Sequence, residues 1–313
     1  MTNETHPTTG TTVLLAGATG VFGRHVADAL TAAGHHVLAI GRGPANDVRA
    51  DLNDRDALLR AVDGRHADVV VHAATALRKP PMRHADMAAT NLLRTRGTEN
   101  LLAAAREVGA RRLVAESMVF GYGYGDFGDR PLTEDAAPFG PAGNSPALER
   151  AVAGMRTKEK LMLTADGMEG IALRFGLFYG PGGTDAILTM LRRRALPVTP
   201  GHGRVLPWVE LTDAAAAVAL AVDHGTPGRS YNIADDTPTG FGDHVRLTAE
   251  VFGLPRPMTV PTWAMRPMGY VHTMLNTNMR VDNALAAREL GWRPVYPGAR
   301  EGLTAMARAK AAA

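Results

Sequence analysis

The sequence predicts an α/β chain: a doubly wound parallel sheet with a smaller C-terminal lobe. Three observations predict it. Short apolar segments such as Val13–Ala16 and Val69–Val71 alternate with helical patterns through the first half of the chain. Glycines at 17, 20 and 23 stand directly between the first strand and the first helix. The composition, 45% hydrophobic and 21% charged over 313 residues, is that of a chain able to bury one large core and a smaller lobe.

Taken in order, residues 1–11 are polar and read as a flexible N-terminus. A first strand over 12–17 runs into Gly17-Ala18-Thr19-Gly20-Val21-Phe22-Gly23, and a helix pattern continues from Arg24 to Ala33. Gly17 permits the tight turn, Gly20 lets backbone approach a phosphate, and Gly23 lets helix and strand pack closely. The helix N-terminus then faces the anion, so the segment with Thr19, Val21 and Phe22 reads as a cradle for a dinucleotide pyrophosphate. Strands follow at 36–40, near 48–51, at 68–73 and at 112–117, with a long helix over 86–108. Residues 121–146, rich in Gly, Pro, Asp and Tyr, read as a long lid or binding loop. Beyond it come a helix at 147–166, a strand at 170–175 and a turn at 178–183. An alanine-rich helix at 212–223, opened by Thr212 or Asp213, precedes a strand at 230–234. The expected division is 12–175 for dinucleotide binding, with return segments near 205–235, and 176–313 mainly for substrate. In that lobe Met258, Met265, Met268, Met274 and Met279, with Trp263 and Tyr270, either line an adaptable apolar pocket or form ordinary core.

The bulk numbers exclude several classes. Net charge is only +3, and Arg192, Arg193 and Arg194, the one tight basic cluster, read as a solvated helix face, so no nucleic-acid partner is expected. No apolar run is long enough to cross a bilayer and no signal peptide is evident, which points to a cytoplasmic protein with no membrane partner. There is no cysteine, and the eleven histidines lack metal-ligand spacing, so no metal is expected.

Several ordered segments now carry a resemblance. These are the 17–23 turn, Val71-His72-Ala73-Ala74, Asn91 ahead of Gly97-Thr98-Glu99-Asn100, Leu173–Pro181, Trp208–Asp213, Tyr231-Asn232-Ile233 and Glu289-Leu290-Gly291-Trp292. Over roughly 12–305 the chain resembles the extended short-chain dehydrogenase/reductases, the group of sugar-nucleotide epimerases and dehydratases. The resemblance implies a Rossmann domain binding NAD(P) and a smaller substrate lobe. It places Asp51 and Leu52 near the adenine, and Ala73, Ala74 and Thr75 beside the ribose and pyrophosphate. It adds Asn91, and it lays the nicotinamide against the fifth strand and the Phe175-Gly176-Leu177 turn, with Ser117 close by. Similar proteins dimerise through the helices that here span 86–108 and 147–166, so a homodimer is one possibility.

The second strand ends in Ile40-Gly41-Arg42, where NAD enzymes usually carry an acid for the ribose 2′-hydroxyl. Gly41 leaves room for a 2′-phosphate, Arg42 can pair with it bidentately and Arg24 can add a second cation, so the expected cofactor is NADPH/NADP+.

The family's usual chemistry is missing. Its tyrosine and lysine sit one helical turn apart, which lowers the tyrosine pKa. None of the six tyrosines here has a lysine four residues later. Anchored on Glu159-Lys160-Leu161, the two positions are held by Ala151 and Met155, and Lys158 and Lys160 read as surface lysines. The family's catalytic hydroxyl falls at Glu116, with Ser117 next to it and expected to face the other way unless a bulge intervenes. Glu116 reads either as a proton donor or as a buried carboxylate tied to an arginine; Tyr122 and Tyr124 are the alternative donors.

Three readings stay open at this point. One is an atypical reductase, similar to the simocyclinone C7 ketoreductase type, reducing a ketone on a polycyclic aromatic polyketide of antibiotic biosynthesis, with the proton taken from substrate, water or one of these residues. The others are a nucleotide-sugar epimerase/dehydratase, disfavoured by the missing base, and a redox-inactive NADP-binding sensor.

Overall fold

Strand β1 (Thr12–Ala16) is buried along nearly its whole length, as an unbroken apolar run in a sheet covered on both faces requires. The computed structural model describes residues 10–77, 79–135, 139–140, 145–200 and 203–312. Helix α1 (Val21–Ala32), β2 (His36–Gly41), the short β3 (Val48–Arg49) and α2 (Arg55–Val62) follow, then β4 (Val69–His72). Helices α3 (Ala88–Leu92) and α4 (Thr98–Glu107), β5 (Arg112–Met118), α5 (Pro146–Leu163) and β6 (Glu169–Phe175) complete the first half. Then come β7 (Leu177–Tyr179), α6 (Asp185–Arg192), β8 (Trp208–Glu210), α7 (Leu211–His224) and β9 (Ser230–Ile233). Helices α8 (Phe241–Val251), α9 (Gly269–Leu275), α10 (Ala284–Glu289) and α11 (Ala299–Ala312) close the chain.

The main sheet has seven strands in the order β3-β2-β1-β4-β5-β6-β9, every neighbouring pair parallel. The chain winds outward from β1 in one direction and from β4 in the other, so their C-terminal ends form the crevice where such sheets bind ligands. Alternation assigns the two faces. Leu15, Val71, Val114 and Leu173 pack with Val26 and Leu30 of α1 and the alanines of α7. Leu14, Val70, Leu113 and Ala115 pack with Leu58 of α2, Leu101 of α4 and Met162 of α5.

Three local expectations are corrected. The helix expected over 86–108 is interrupted by a π-turn at Leu93–Gly97, where Thr98 Oγ1 donates to Arg94 O at 2.9 Å and Thr95 Oγ1 to Asn91 O at 3.1 Å. Arg94 is thereby buried, 8% exposed. The turn expected at 178–183 begins only at Gly180 (φ +119°), because β7 pairs in parallel with β8 in a small second sheet. Helix α7 is opened by Glu210, whose carboxylate accepts the Thr212 and Asp213 amides, and not by Thr212 or Asp213. Asp213 instead accepts the amides of Val295 at 3.0 Å and Tyr296 at 2.9 Å and ties the C-terminal segment to the sheet.

The loop after β5 is strapped to the C-terminal segment over 124–135. Phe127 N donates to Asn278 O and Leu132 N to Arg280 O, both at 2.9 Å, while Arg280 pairs with Asp129 at 3.1 Å. Residues 136–138 and 141–144 of that loop, and 1–9 of the expected flexible N-terminus, lie outside the described residues. The methionine-rich region divides: Met265, Met274 and Met279 are core, whereas Met258 and Trp263 are exposed.

Candidate active site at the strand ends

The cradle is built by local geometry. Gly17 takes φ +96°, and a Cβ there would stand 2.7 Å from Ala73 O. A Cβ on Gly23 would overlap Gly17 O, so this glycine sets how closely α1 meets the turn. At Gly20 only Gly17 O comes near, at 3.2 Å, and the residue is exposed. Helix α1 has no acid in its first turn and no side chain capping its N-terminus, which leaves its amides and dipole for an anion. These residues fit a dinucleotide pyrophosphate. Phe22 is the exception among the expected contacts. Its ring stacks on Phe178 (centroids 4.7 Å) and meets Phe175 edge-on (5.1 Å), so a contact to the cofactor would come from its backbone.

At the end of β2, Arg42 is 65% exposed and lies 3.9 Å from Asp51, so its guanidinium is accessible to a 2′-phosphate. Arg24 is also exposed, with Nη1 donating to Thr19 O at 3.2 Å across the glycine turn. Leu52 is buried, its carbonyl held by Asn100 Nδ2 at 2.8 Å. Ala73 continues β4 through Ala73 N to Ala16 O at 2.9 Å, Ala74 N donates to His72 Nδ1 at 3.3 Å, and Thr75 Oγ1 stands 3.4 Å from Thr90 Oγ1. Asn91 Oδ1 accepts from Arg94 at 3.2 Å beside Gly154 of α5. Phe175 is core, and Gly176 passes so close to Pro207 O that a Cβ would stand 2.7 Å from it. Leu177 begins β7 and is partly buried.

The positions of the missing relay are filled with carbon. Ala151 and Met155 are each 2% exposed, and Met155 packs with Val119, Phe120, Leu206, Met274 and Met279. No proton carrier stands there.

The expected donors have other partners. Ser117 Oγ donates to Glu159 Oε1 at 2.6 Å. Glu159 also receives Arg174 Nε at 3.1 Å and Nη2 at 2.7 Å, and Arg174 Nη1 donates to the Tyr122 oxygen at 2.8 Å. Tyr122 in turn donates to Asn232 Oδ1 at 2.9 Å. Burial opposes the charge on Arg174, yet the bonds to Glu159 outweigh it and hold the guanidinium above its ordinary range. Burial pushes the Tyr122 phenol up to about 12. Tyr122 is 2% exposed and links Arg174 to Asn232 within this network. Tyr124 stacks on Phe120 at 5.5 Å and meets Tyr270 edge-on at 6.3 Å; burial and then Tyr270 push its phenol well above the ordinary value.

The largest correction concerns Lys158. The lysine expected on the surface is 1% exposed, and its Nζ lies 3.3 Å from Glu116 Oε2. Glu116 is thus tied to a lysine, not to an arginine. Burial pulls the Lys158 ammonium down, with Glu116 opposing that pull. Beside it, burial and the charge of Lys158 hold the His72 imidazole well below its ordinary range. Lys160 is exposed, as expected. The signal missed in the sequence was the adjacency of Lys158 to Glu159: consecutive strand residues Glu116 and Ser117 meet consecutive helix residues Lys158 and Glu159.

Among the described residues no group of side chains could hold a metal ion, and no helix is long and apolar enough to cross a membrane. Residues 13–234 match the NAD dependent epimerase/dehydratase family. A 3-diazoavenalumate denitrifying reductase of a Streptomyces species is 36% identical over 309 residues, covering 93% of this chain and 98% of that protein. A dTDP-4-dehydrorhamnose reductase of Streptomyces griseus is 32% identical over 251 residues, covering 77% and 75%. The crystal structure of UDP-glucose 4-epimerase from Thermotoga maritima superposes with a TM-score of 0.77 at 18% identity, covering 96% of this chain and all of that one. A human epimerase family protein solved with NADPH also gives 0.77, at 19% identity, covering 95% and 99%. With the glycine turn, the seven-stranded parallel sheet and the family match over most of its length, this chain belongs to the NAD dependent epimerase/dehydratase family and is an NAD(P)-dependent oxidoreductase.

Proposed function

We propose that this chain is an NADPH-dependent reductase that delivers hydride to an electrophilic group on an aromatic substrate. Arg42 and Arg24 beside the cradle, with no acid at the end of β2, favour NADPH over NADH. The acceptor class favoured here is an aryl diazo group, the group named in the 36% identical relative. One observation carries this choice. Ala151 and Met155 stand sealed in carbon where the tyrosine and lysine would be, and Ser117 and Tyr122 are committed to the Glu159–Arg174 network. A ketone consumes one net proton at the alkoxide oxygen, which the usual tyrosine would supply. An aryl diazonium that accepts hydride and loses dinitrogen needs no net proton: ArN2⁺ and NADPH give ArH, N2 and NADP⁺.

A second reading, reduction of a ketone on a bulky, polycyclic aromatic polyketide of antibiotic biosynthesis, is supported by the titratable pair Glu116 and Lys158, 3.3 Å apart beside the expected site. The test supplies NADPH with p-hydroxybenzenediazonium or with a hydroxylated polycyclic ketone, and follows coenzyme oxidation and dinitrogen release. Oxidation with dinitrogen supports the first reading and oxidation with carbinol the second. Tight NADPH binding without turnover of either would move the assignment to a redox-inactive sensor.

A further inference from the structure

A buried lysine with one hydrogen-bonding partner needs an explanation, because taking an ammonium out of water costs several kcal/mol unless it is matched. Lys158 is 1% exposed, and Glu116 Oε2, 3.3 Å away, is its hydrogen-bonding partner among the described residues. The charged and titratable groups facing the ammonium come from each element packed on it. They are Glu116 on β5, His72 on β4, Arg94 in the π-turn and Glu159 on its own helix. Glu159 is already neutralised by Arg174, and Arg94 adds repulsion. A structural pair alone would be expected to close on itself. Here the Glu116 side chain keeps 14% exposure, while that of Lys158 keeps 2%. The carboxylate therefore has one oxygen on the ammonium and is the partner of the pair that keeps access to solvent, on the strand whose C-terminal end borders the crevice.

We infer that Glu116 is the proton-exchanging catalytic residue of this site and that Lys158 is the positioning residue that holds it, the two together standing in for the absent tyrosine and lysine. This rests on the reductase reading above, with an aryl diazo acceptor. Once hydride has been delivered to the terminal nitrogen, the substrate is Ar–N=N–H. The Glu116 carboxylate takes the N–H proton. The C–N bond breaks, its electron pair stays on the ring carbon and dinitrogen leaves. The ring carbon then takes the proton back from Glu116. The residue is restored, and the only reductant used is NADPH. Lys158 keeps the carboxylate in place across the 3.3 Å contact, and burial, which disfavours its charged form, lets it share a proton there.

The experiment is a single turnover of the full chain with NADPH and p-hydroxybenzenediazonium, reading coenzyme oxidation and dinitrogen release separately. In Glu116→Gln, oxidation in the first turnover is expected near the wild-type rate, while dinitrogen release slows about 10²-fold or more. Lys158→Met is expected to behave like Glu116→Gln, whereas Lys158→Arg, which keeps a cation against the carboxylate, recovers to within about tenfold. A merely structural pair would lower the melting temperature without separating the two signals. Glu116→Asp keeps the charge where the glutamine variant does not fold, and is expected to slow release about tenfold by drawing the carboxylate back. Dinitrogen release at the wild-type rate in a folded Glu116 variant would overturn this role and leave the reductase reading standing. No coenzyme oxidation by the wild type with this probe would overturn both.

Discussion

Ser117 donates its hydroxyl proton to Glu159 Oε1 at 2.6 Å, and the same oxygen accepts Arg174 Nε at 3.1 Å. The hydroxyl that sequence position brings nearest to the chemistry is therefore spent on a buried carboxylate. Ser117→Ala is expected to lower stability by about 1–2 kcal/mol, because the carboxylate loses a donor it cannot replace with water. Turnover should fall less than about tenfold, well short of the 10²-fold or more that follows loss of an acid. Denaturant melts and steady-state rates on one preparation check this, and a large loss of rate with unchanged stability would restore Ser117 as a catalyst.

The Arg42 side chain at the end of β2 is 65% exposed, and Asp51 at 3.9 Å holds it only loosely. Arg42→Ala should raise the KM for NADPH about tenfold and leave the KM for NADH nearly unchanged, as expected when a charge-assisted contact to the phosphate is lost. Equal rises for both coenzymes would refute the NADP assignment.

The Tyr122 phenol, pushed up to about 12 by burial, is a poor acid at neutral pH. Tyr122→Phe removes the bridge from Arg174 to Asn232 and should cost about 1–2 kcal/mol of stability with most turnover retained. Tyr124→Phe should likewise keep most activity. Near-total loss of rate in either folded variant would identify that tyrosine as the proton donor.

Gly23→Ala places a Cβ onto Gly17 O, backbone against backbone, where neither side can yield by a rotamer change. The expected result is a stability loss of about 1–3 kcal/mol or more and a weakened NADPH affinity, read by a thermal shift with and without coenzyme. A variant that still gains the wild-type thermal shift from NADPH would show that α1 can retreat from the turn.

Asp235, 4% exposed, has its carboxyl pushed up to about 8, mainly by burial and then by the carboxylates of Asp236, Asp213 and Glu301, against the Thr237 amide. The folded chain thus holds this proton where the unfolded chain has released it. The associated stability is full below the unfolded value near 4 and is lost as pH rises toward about 8. Asp235→Asn should flatten the fall in Tm between about pH 4 and 8 and raise Tm at the alkaline end. An unchanged slope would mean that Asp235 is not held protonated.

The sequence by itself determined the strand pattern, the glycine cradle and the absence of a tyrosine–lysine relay, because each is local. Unbroken apolar runs, a positive φ at Gly17 and residues one helical turn apart can all be read within a few positions. Tertiary structure decided the partners. β7 became a strand only because β8 lies alongside it, and Glu210, not Thr212 or Asp213, opens α7 because β8 ends there. Above all, the run Arg156, Lys158, Glu159 and Lys160 has the polar pattern of a solvated helix face, yet α5 packs Lys158 and Glu159 inward onto β5. Their partners stand 42 residues earlier, at Glu116 and Ser117. Periodicity records which residues share a face. Whether a charged face meets water or an opposite charge depends on what the rest of the chain lays against it.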